Sequence, residues 1–215
     1  WTGFLALLFF IIATYNSGFS VDNKKPNSLV YIENYDAKTA YFGTYNTTLD
    51  TYTKQVFKDD FTKGGIENAE TKSKYNTRFN YAKKTVYKAI SSSEIRTEID
   101  TVIGKKRFLE LTITPKRKIN KLEFLTKSKL TLYQFKVNDV LVNKGKKHSF
   151  KSGTFLVYHL GNNDKEVTLS FSVNVGQNLD FTLNEISYDL LTNKNFKLKP
   201  RAEDMMPMPF VTNDA

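Results

Sequence analysis

The sequence predicts a mostly-β chain: an antiparallel β-sandwich, jelly-roll-like, preceded by the end of a transmembrane helix. Three observations predict it: apolar and polar residues alternate in many segments, turn-forming residues separate those segments at short spacing, and the chain opens on an unbroken apolar run. The clearest alternation is EVTLSFSVNVG, residues 166–176. Leu169, Phe171, Val173 and Val175 fall on one side, and Thr168, Ser170, Ser172 and Asn174 on the other. A strand with one dry and one wet face gives that pattern. The 17 Phe and 12 Tyr among 215 residues strengthen the bias toward strands. At 40% hydrophobic and 25% charged residues the composition is that of a globular domain. The absence of cysteine excludes disulfides and thiolate zinc sites.

The elements follow in chain order. WTGFLALLFFIIA, residues 1–13, carries no charge. As a helix it reaches about 20 Å, against the ~30 Å of a bilayer core. It lacks the Met and basic residues that precede the apolar part of a signal peptide. Residues 1–14 are therefore expected to be the end of a transmembrane helix, with a buried core helix as the plainer alternative. Residues 15–27 are expected to be a juxtamembrane linker in which Gly18 and Pro26 interrupt any helix.

One β-sandwich domain is expected over residues 28–199. Its strands are read in SLVYIE, TAYFGTY, TVYKAI, IRTEIDTVI, RFLELTITP, KLEFL, TLYQFKV, FLVYHL, EVTLSFSVNVG and LDFTLNEISYDL. In RFLELTITP, Leu109, Leu111 and Ile113 point inward and Pro115 ends the run. The turns are SSSE, GKK, TPKRK, VND, NKGKK, GNND and GQN. One short helix is expected within residues 49–61 with Asp50 as its N-cap, and residues 64–76 read as a polar surface loop.

Residues 200–215 are expected to be an extended tail packing on the domain. Pro200, Pro207 and Pro209 hold Lys199, Met206 and Met208 to extended backbone, which excludes a helix. Extension places Met206, Met208 and Phe210 on one side as an apolar ridge. The flexible thioethers suit that ridge either to the domain's own sheet or to a partner.

The net charge of +10 is concentrated. Residues 105–151 hold 14 Lys or Arg against 3 Asp or Glu, and the rest of the chain holds 18 against 19. The block makes Lys105, Lys106, Arg107, Lys116, Arg117, Lys118, Lys144, Lys146 and Lys147 candidates for contact with an anionic surface, lipid headgroups above all. The plainer reading is solvated sheet faces and Lys-guarded edges. The excess is mostly Lys and no nucleic-acid motif accompanies it, so nucleic acid is not an expected partner.

No catalytic centre stands out. His159 lies in phase with Phe155 and Val157, and His148 lies in the basic turn KGKKHSF. G-x-S-x-G, H-E-x-x-H, Walker-type and G-x-G-x-x-G motifs are absent. Glu98 and Asp100 alternate with Ile99 and Thr101 as on the wet face of a strand. No catalytic residue, metal ligand or cofactor is assigned to this segment.

The tail PRAEDMMPMPFVTNDA, residues 200–215, resembles the C-terminal end of membrane-anchored zinc aminopeptidase-like metallopeptidases, among them the endoplasmic-reticulum metallopeptidase and the vacuolar membrane protease. SLVYIENYDAKTAYFGTYNTTLDTYTKQVF, residues 28–57, resembles the segment after their last membrane span through Tyr31, Asp36, Tyr41, Asp50, Tyr52 and Thr53. The resemblance implies an N-terminal zinc peptidase domain, several spans, and a β-rich domain on the extracytoplasmic (periplasmic or lumenal) side. On that reading this chain is a non-catalytic ancillary C-terminal domain serving stability, assembly or substrate access. Its partners are then the membrane and the parent's peptidase domain, and zinc belongs to the latter. The zinc-binding cluster of such peptidases has no counterpart here, so no catalytic residue is carried over. The alternative is a cell-envelope binding module for carbohydrate or anionic polymer, with Tyr41, Tyr45, Tyr52 and Tyr133 as stacking aromatics.

Overall fold

The computed structural model describes residues 1–66, 77–161 and 165–215. The chain is mostly β, with one α-helix and predominantly antiparallel sheets among the described residues. It divides into two compact units, one of Trp1–Lys88 with Asp189–Ala215, the other of Ala89–Tyr188. The segment read as a single domain over 28–199 thus contributes to both. Alternation marks the face a strand buries, but it does not say which strands share a core.

Helix α1, Thr2–Asn16, is exposed from Thr2 to Tyr15 and apolar on every side. The Thr14 hydroxyl donates to the Phe10 carbonyl and the Ser17 hydroxyl to the Thr14 carbonyl, each at 2.7 Å, occupying acceptors of the last turn. Among the described residues no helix is long and apolar enough to cross a membrane. The 15 residues of α1 cover about 22 Å.

The first unit then builds β1 (Lys25–Asn27), β2 (Val30–Asn34), β3 (Thr39–Thr44), β4 (Thr62–Lys63) and β5 (Tyr81–Thr85). The last four form an antiparallel sheet in the order β2-β3-β5-β4. Val30, Tyr45 and Phe79 form a core cluster on one face. Phe79 stacks on Tyr45 at 4.3 Å between ring centroids and lies directly over Gly43, where an added Cβ would meet the ring at 2.8 Å. Glycine is what lets the ring approach the strand. The helix expected within 49–61 is a single 3₁₀ turn, Thr53–Gln55, whose N-cap position is Tyr52; Asp50, expected there, lies two residues earlier and accepts from the Thr53 N–H. The expected strand TVYKAI is displaced. The strand is β5, which ends at Thr85, while Val86 is exposed and Ala89 has φ +54°. Of the loop read over 64–76, Gly64 and Gly65 are exposed and Ile66 half-buried; the remaining positions lie outside the described residues.

The second unit contains β6 (Glu94–Ile103), β7 (Lys106–Thr114), β8 (Lys121–Thr126), β9 (Leu130–Val137), β10 (Val140–Leu141), β11 (His148–Phe150), β12 (Gly153–His159), β13 (Val167–Asn174) and β14 (Phe181–Ile186). One sheet runs β10-β9-β13-β7-β6, with β11 also on β9; the other runs β12-β8-β14, and all pairings are antiparallel. Both sheets feed one core. Leu109, Ile113, Leu132, Phe135, Leu169, Phe171 and Val173 come from the larger sheet, Leu122 and Phe124 from the smaller. The inward sets read from β7 and β13 hold, except that Val175 lies beyond the strand end and is exposed. β6 is an edge strand exposed at all ten positions, with a bulge between Thr97 and Ile99. An edge bulge of this kind discourages further pairing.

The chain returns to the first unit and closes on β15 (Met205–Pro207), which pairs parallel to β1: Lys25 opposite Met205, Pro26 opposite Met206, Asn27 opposite Pro207. The tail is extended as expected, and the prolines sit in a two-stranded edge pair where their missing N–H groups are tolerated. The linker read over 15–27 is therefore partly strand. Backbone bonds extend the seam: Lys25 N–H to Asp204 O, Met208 N–H to Asn27 O and Asp214 N–H to Leu29 O at 2.8 Å, and Tyr31 N–H to Ala215 O at 2.7 Å. The expected ridge does not form. Met208 packs with Val211 and Ala215 against the Val30–Tyr45–Phe79 cluster, while Met206 and Phe210 are 37% and 67% exposed. Phe210 has φ +64°, a left-handed residue that breaks the alternation on which a continuous ridge depends.

Candidate functional site

The densest polar assembly in the first unit lies beneath the β1–β15 seam. Asn27, Ser28, Thr44, Asn46, Asp50 and Thr53 are all buried, and buried polar groups need partners. Ser28 N–H donates to Asn46 Oδ1 at 2.8 Å, Tyr45 N–H to Ser28 Oγ at 2.8 Å, and Thr44 Oγ1 to the Ser28 carbonyl at 2.6 Å. Asp50 Oδ1 accepts from the Thr53 N–H and hydroxyl, both at 2.9 Å. Its Oδ2 accepts from the Asn27 and Asn46 amides, both at 3.3 Å, with the Lys25 ammonium 3.7 Å away.

Arg201 closes the assembly from the tail. Its guanidinium donates to Asn27 Oδ1 and Asp214 Oδ2, both at 2.5 Å, and to the Asn27 carbonyl at 3.3 Å. It lies 4.4 Å over the Tyr52 ring, and the Tyr52 hydroxyl donates to Asp214 Oδ1 at 2.9 Å. Burial, and then the Asp214 carboxylate, raise the Tyr52 phenol well above its ordinary value against the opposing charge of Arg201. The network holds two carboxylates and two cations: the carboxylates accept from the Thr53 and Tyr52 hydroxyls, while the Ser28 and Thr44 oxygens face amides, carbonyls and each other. Asp50 has both oxygens occupied by donors. These bonds fasten the tail to the first sheet.

Burial pushes the Asp50 carboxyl up, but the bonds from Thr53 and Asn27 and the charge of Lys25 outweigh it, leaving the group below its ordinary value. A depressed folded-state value contributes stability above the unfolded pKa of about 4 that is lost as pH falls through the folded value. The first unit is therefore expected to weaken from about pH 4 downward. The stability gap between the protein and Asp50→Asn, measured by urea unfolding, should narrow from pH 7 to pH 3. A gap independent of pH would refute this.

The basic block of the second unit does not form one surface. Lys105 precedes β7 and Lys106 begins it, while Lys116, Arg117 and Lys118 follow its far end, about 30 Å away at strand rise. Several of these charges are neutralised. Arg107 grips Asp100 through two bonds of 2.7 and 2.6 Å, Lys116 meets Glu94 at 2.5 Å, and Arg117 reaches Glu185, Ser187 and the Ser91 carbonyl. Lys106 bonds Asn174 at 2.8 Å and covers the Tyr133 ring. Desolvation raises the Tyr133 phenol, but Lys106, Asn174 and the charge of Lys147 prevail and lower it. Lys105, Lys118, Lys144, Lys146 and Lys147 are exposed without an ion-pair partner among the described residues.

The stacking aromatics of the alternative reading are largely withdrawn. Tyr45 and Tyr52 are buried, Tyr41 is half-buried, and Tyr133 lies under Lys106. His148 stacks on Phe150 and His159 is exposed. Among the described residues no group of three or more His, Cys, Asp or Glu is placed to hold a metal ion. Sequence reasoning missed Asn27, Arg201 and Asp214; only the Asp50–Thr53 cap spacing pointed toward this network. No family model matches the chain, and no curated protein or solved structure matches it.

Proposed function

We propose that this chain is the non-catalytic ancillary C-terminal domain of a membrane-bound zinc metallopeptidase of the aminopeptidase-like kind, on the extracytoplasmic side, serving stability, assembly or substrate access. One observation carries the reading. The two stretches that bear the resemblance, residues 28–57 and 200–215, meet in the first unit, where Tyr52 bonds Asp214 across 162 positions of chain and Asp50, Thr53 and Arg201 share one network. Stretches that look alike for a structural reason should be found in contact, and these are.

The membrane part of the proposal is supported by α1. A helix with Phe4, Leu8, Phe9, Phe10 and Ile11 exposed around its circumference needs lipid or protein to cover it. It acts as the end of a membrane anchor, and Lys105, Lys144, Lys146 and Lys147 favour anionic headgroups. The second unit is then a jelly-roll-like sandwich, which its shared two-sheet core supports.

Sequencing the complete coding region tests the proposal: an upstream peptidase domain with several apolar spans is expected, and its absence would overturn the reading. For the anchor, vesicle flotation is expected to carry the chain and to lose most of it when residues 2–16 are deleted. Flotation unchanged by that deletion would remove α1 from the account.

A further inference from the structure

The face of the first sheet opposite the Val30–Tyr45–Phe79 cluster carries a cleft of about 300 Å³. Phe42 and Phe196 meet edge to face in its lining, 6.1 Å between centroids, and Tyr31 backs both at 5.4 and 4.7 Å. Val56 and Leu198 add apolar walls. The opposing walls are fixed to each other: Gln55 Nε2 donates to the Lys199 carbonyl at 3.3 Å, and Lys199 N–H donates to Gln55 Oε1 at 2.8 Å. The cleft is therefore held open by hydrogen bonds within its own rim.

The charged residues of its lining are all basic, with the Glu33 carboxylate just outside, where it accepts from the Lys88 N–H at 3.0 Å and the Tyr31 hydroxyl at 2.7 Å. Lys83, Lys88 and Lys197 line it, and no Asp or Glu does among the described residues. The Lys83 ammonium is held by the carbonyls of Val56 and Asp59 at 3.2 and 3.0 Å, which fix its position without cancelling its charge. The Lys88 and Lys197 ammonium groups have no carboxylate partner among the described residues. A flat apolar body satisfies the phenylalanines, and an anionic head satisfies the lysines. The apolar lining and the absence of an arginine fork disfavour inorganic phosphate.

We propose that this cleft binds a carboxylate carried on an aromatic or apolar body, of the size of one amino-acid residue: the C-terminal residue of a peptide, or a free aryl-alkyl acid. The site stands apart from the metallopeptidase reading, since every lining residue belongs to the first unit of this chain.

Ligand-observed ¹⁹F NMR on the full chain in lipid nanodiscs, with empty discs as blank, tests it. The probes are 3-(4-fluorophenyl)propionate, the tripeptide Gly-Gly-(4-fluoro-Phe), and the carboxamide of each. Saturable binding of at least one acid is expected, with its amide and the Lys88→Gln/Lys197→Gln variant each weaker by about ten-fold or more. The acid that binds more tightly identifies the source, peptide end or free acid. Both lysines are exposed or at the rim, so the variant should fold, and the acid–amide comparison requires no variant. Absence of saturable binding up to about 10 mM, amides binding as well as acids, or a variant binding as well as the unaltered protein would each overturn the proposal.

Discussion

Deleting residues 205–215 is expected to unfold the first unit while the second remains folded. The deletion removes the parallel partner of β1 and takes Met208, Val211 and Ala215 from the Val30–Tyr45–Phe79 cluster. It also leaves the Arg201 guanidinium, whose side chain is 9% exposed, without the Asp214 carboxylate. Breaking a buried ion pair from one side costs about 3–5 kcal/mol, and removing the half-buried Met208 side chain adds about 1 kcal/mol or more. Together these approach the whole stability of an ordinary domain, about 5–15 kcal/mol. Hydrogen exchange followed by mass spectrometry reads the result: amides around β2, β3 and β5 should lose protection, and those of β7 and β13 should keep it. Retained protection in β2 and β3 would mean that the tail merely decorates the sheet.

Replacing Asp50 with Ala is expected to cost about 3 kcal/mol or more. The loss is not that of an exposed salt bridge, because Lys25 is the most distant of the Asp50 partners. What matters is the set of buried donors left behind: the Thr53 N–H and hydroxyl and the Asn27 and Asn46 amides. Each unpaired buried donor costs about 1–3 kcal/mol. Lys25→Ala should cost far less than Asp50→Ala in urea unfolding. Equal effects from the two changes would return the weight to the ion pair and contradict the hydrogen-bond account.

The strands that were legible in the sequence are those with one wet face. β13 and β7 announce themselves through Leu169, Phe171 and Val173 and through Leu109, Leu111 and Ile113, since a half-buried strand must alternate. β5 was misplaced because Lys83 and Lys84 occupy its centre. Lys83 is accommodated on the sheet by carbonyls of a distant loop, which no local pattern records. The neighbouring Val86–Tyr87 pair looked more strand-like and is not. Asp50 was readable as a group that holds the start of a helical turn, because its partner Thr53 lies three residues on, although the N-cap position itself is Tyr52. Arg201, Asn27 and Asp214 were not, because their meeting depends on a chain return from a distant segment. The alternation expected of Met206, Met208 and Phe210 fails because Met208 turns into the core cluster while Met206 stays exposed, and the left-handed backbone of Phe210 breaks the extended run after it.

The second unit is an insertion: it interrupts the first between Lys88 and Asp189. This fixes an order of events during translation. All of the second unit is contiguous and can condense as soon as Tyr188 clears the ribosome, whereas β1 must wait for β15. Until then Asn27 and Asp50 have no Arg201 to complete their network, and Val30, Tyr45 and Phe79 have no Met208 to pack on. The early portion of the chain is synthesised first yet acquires its final structure last, and a nascent chain paused before residue 201 presents a completed later unit beside an unfinished earlier one.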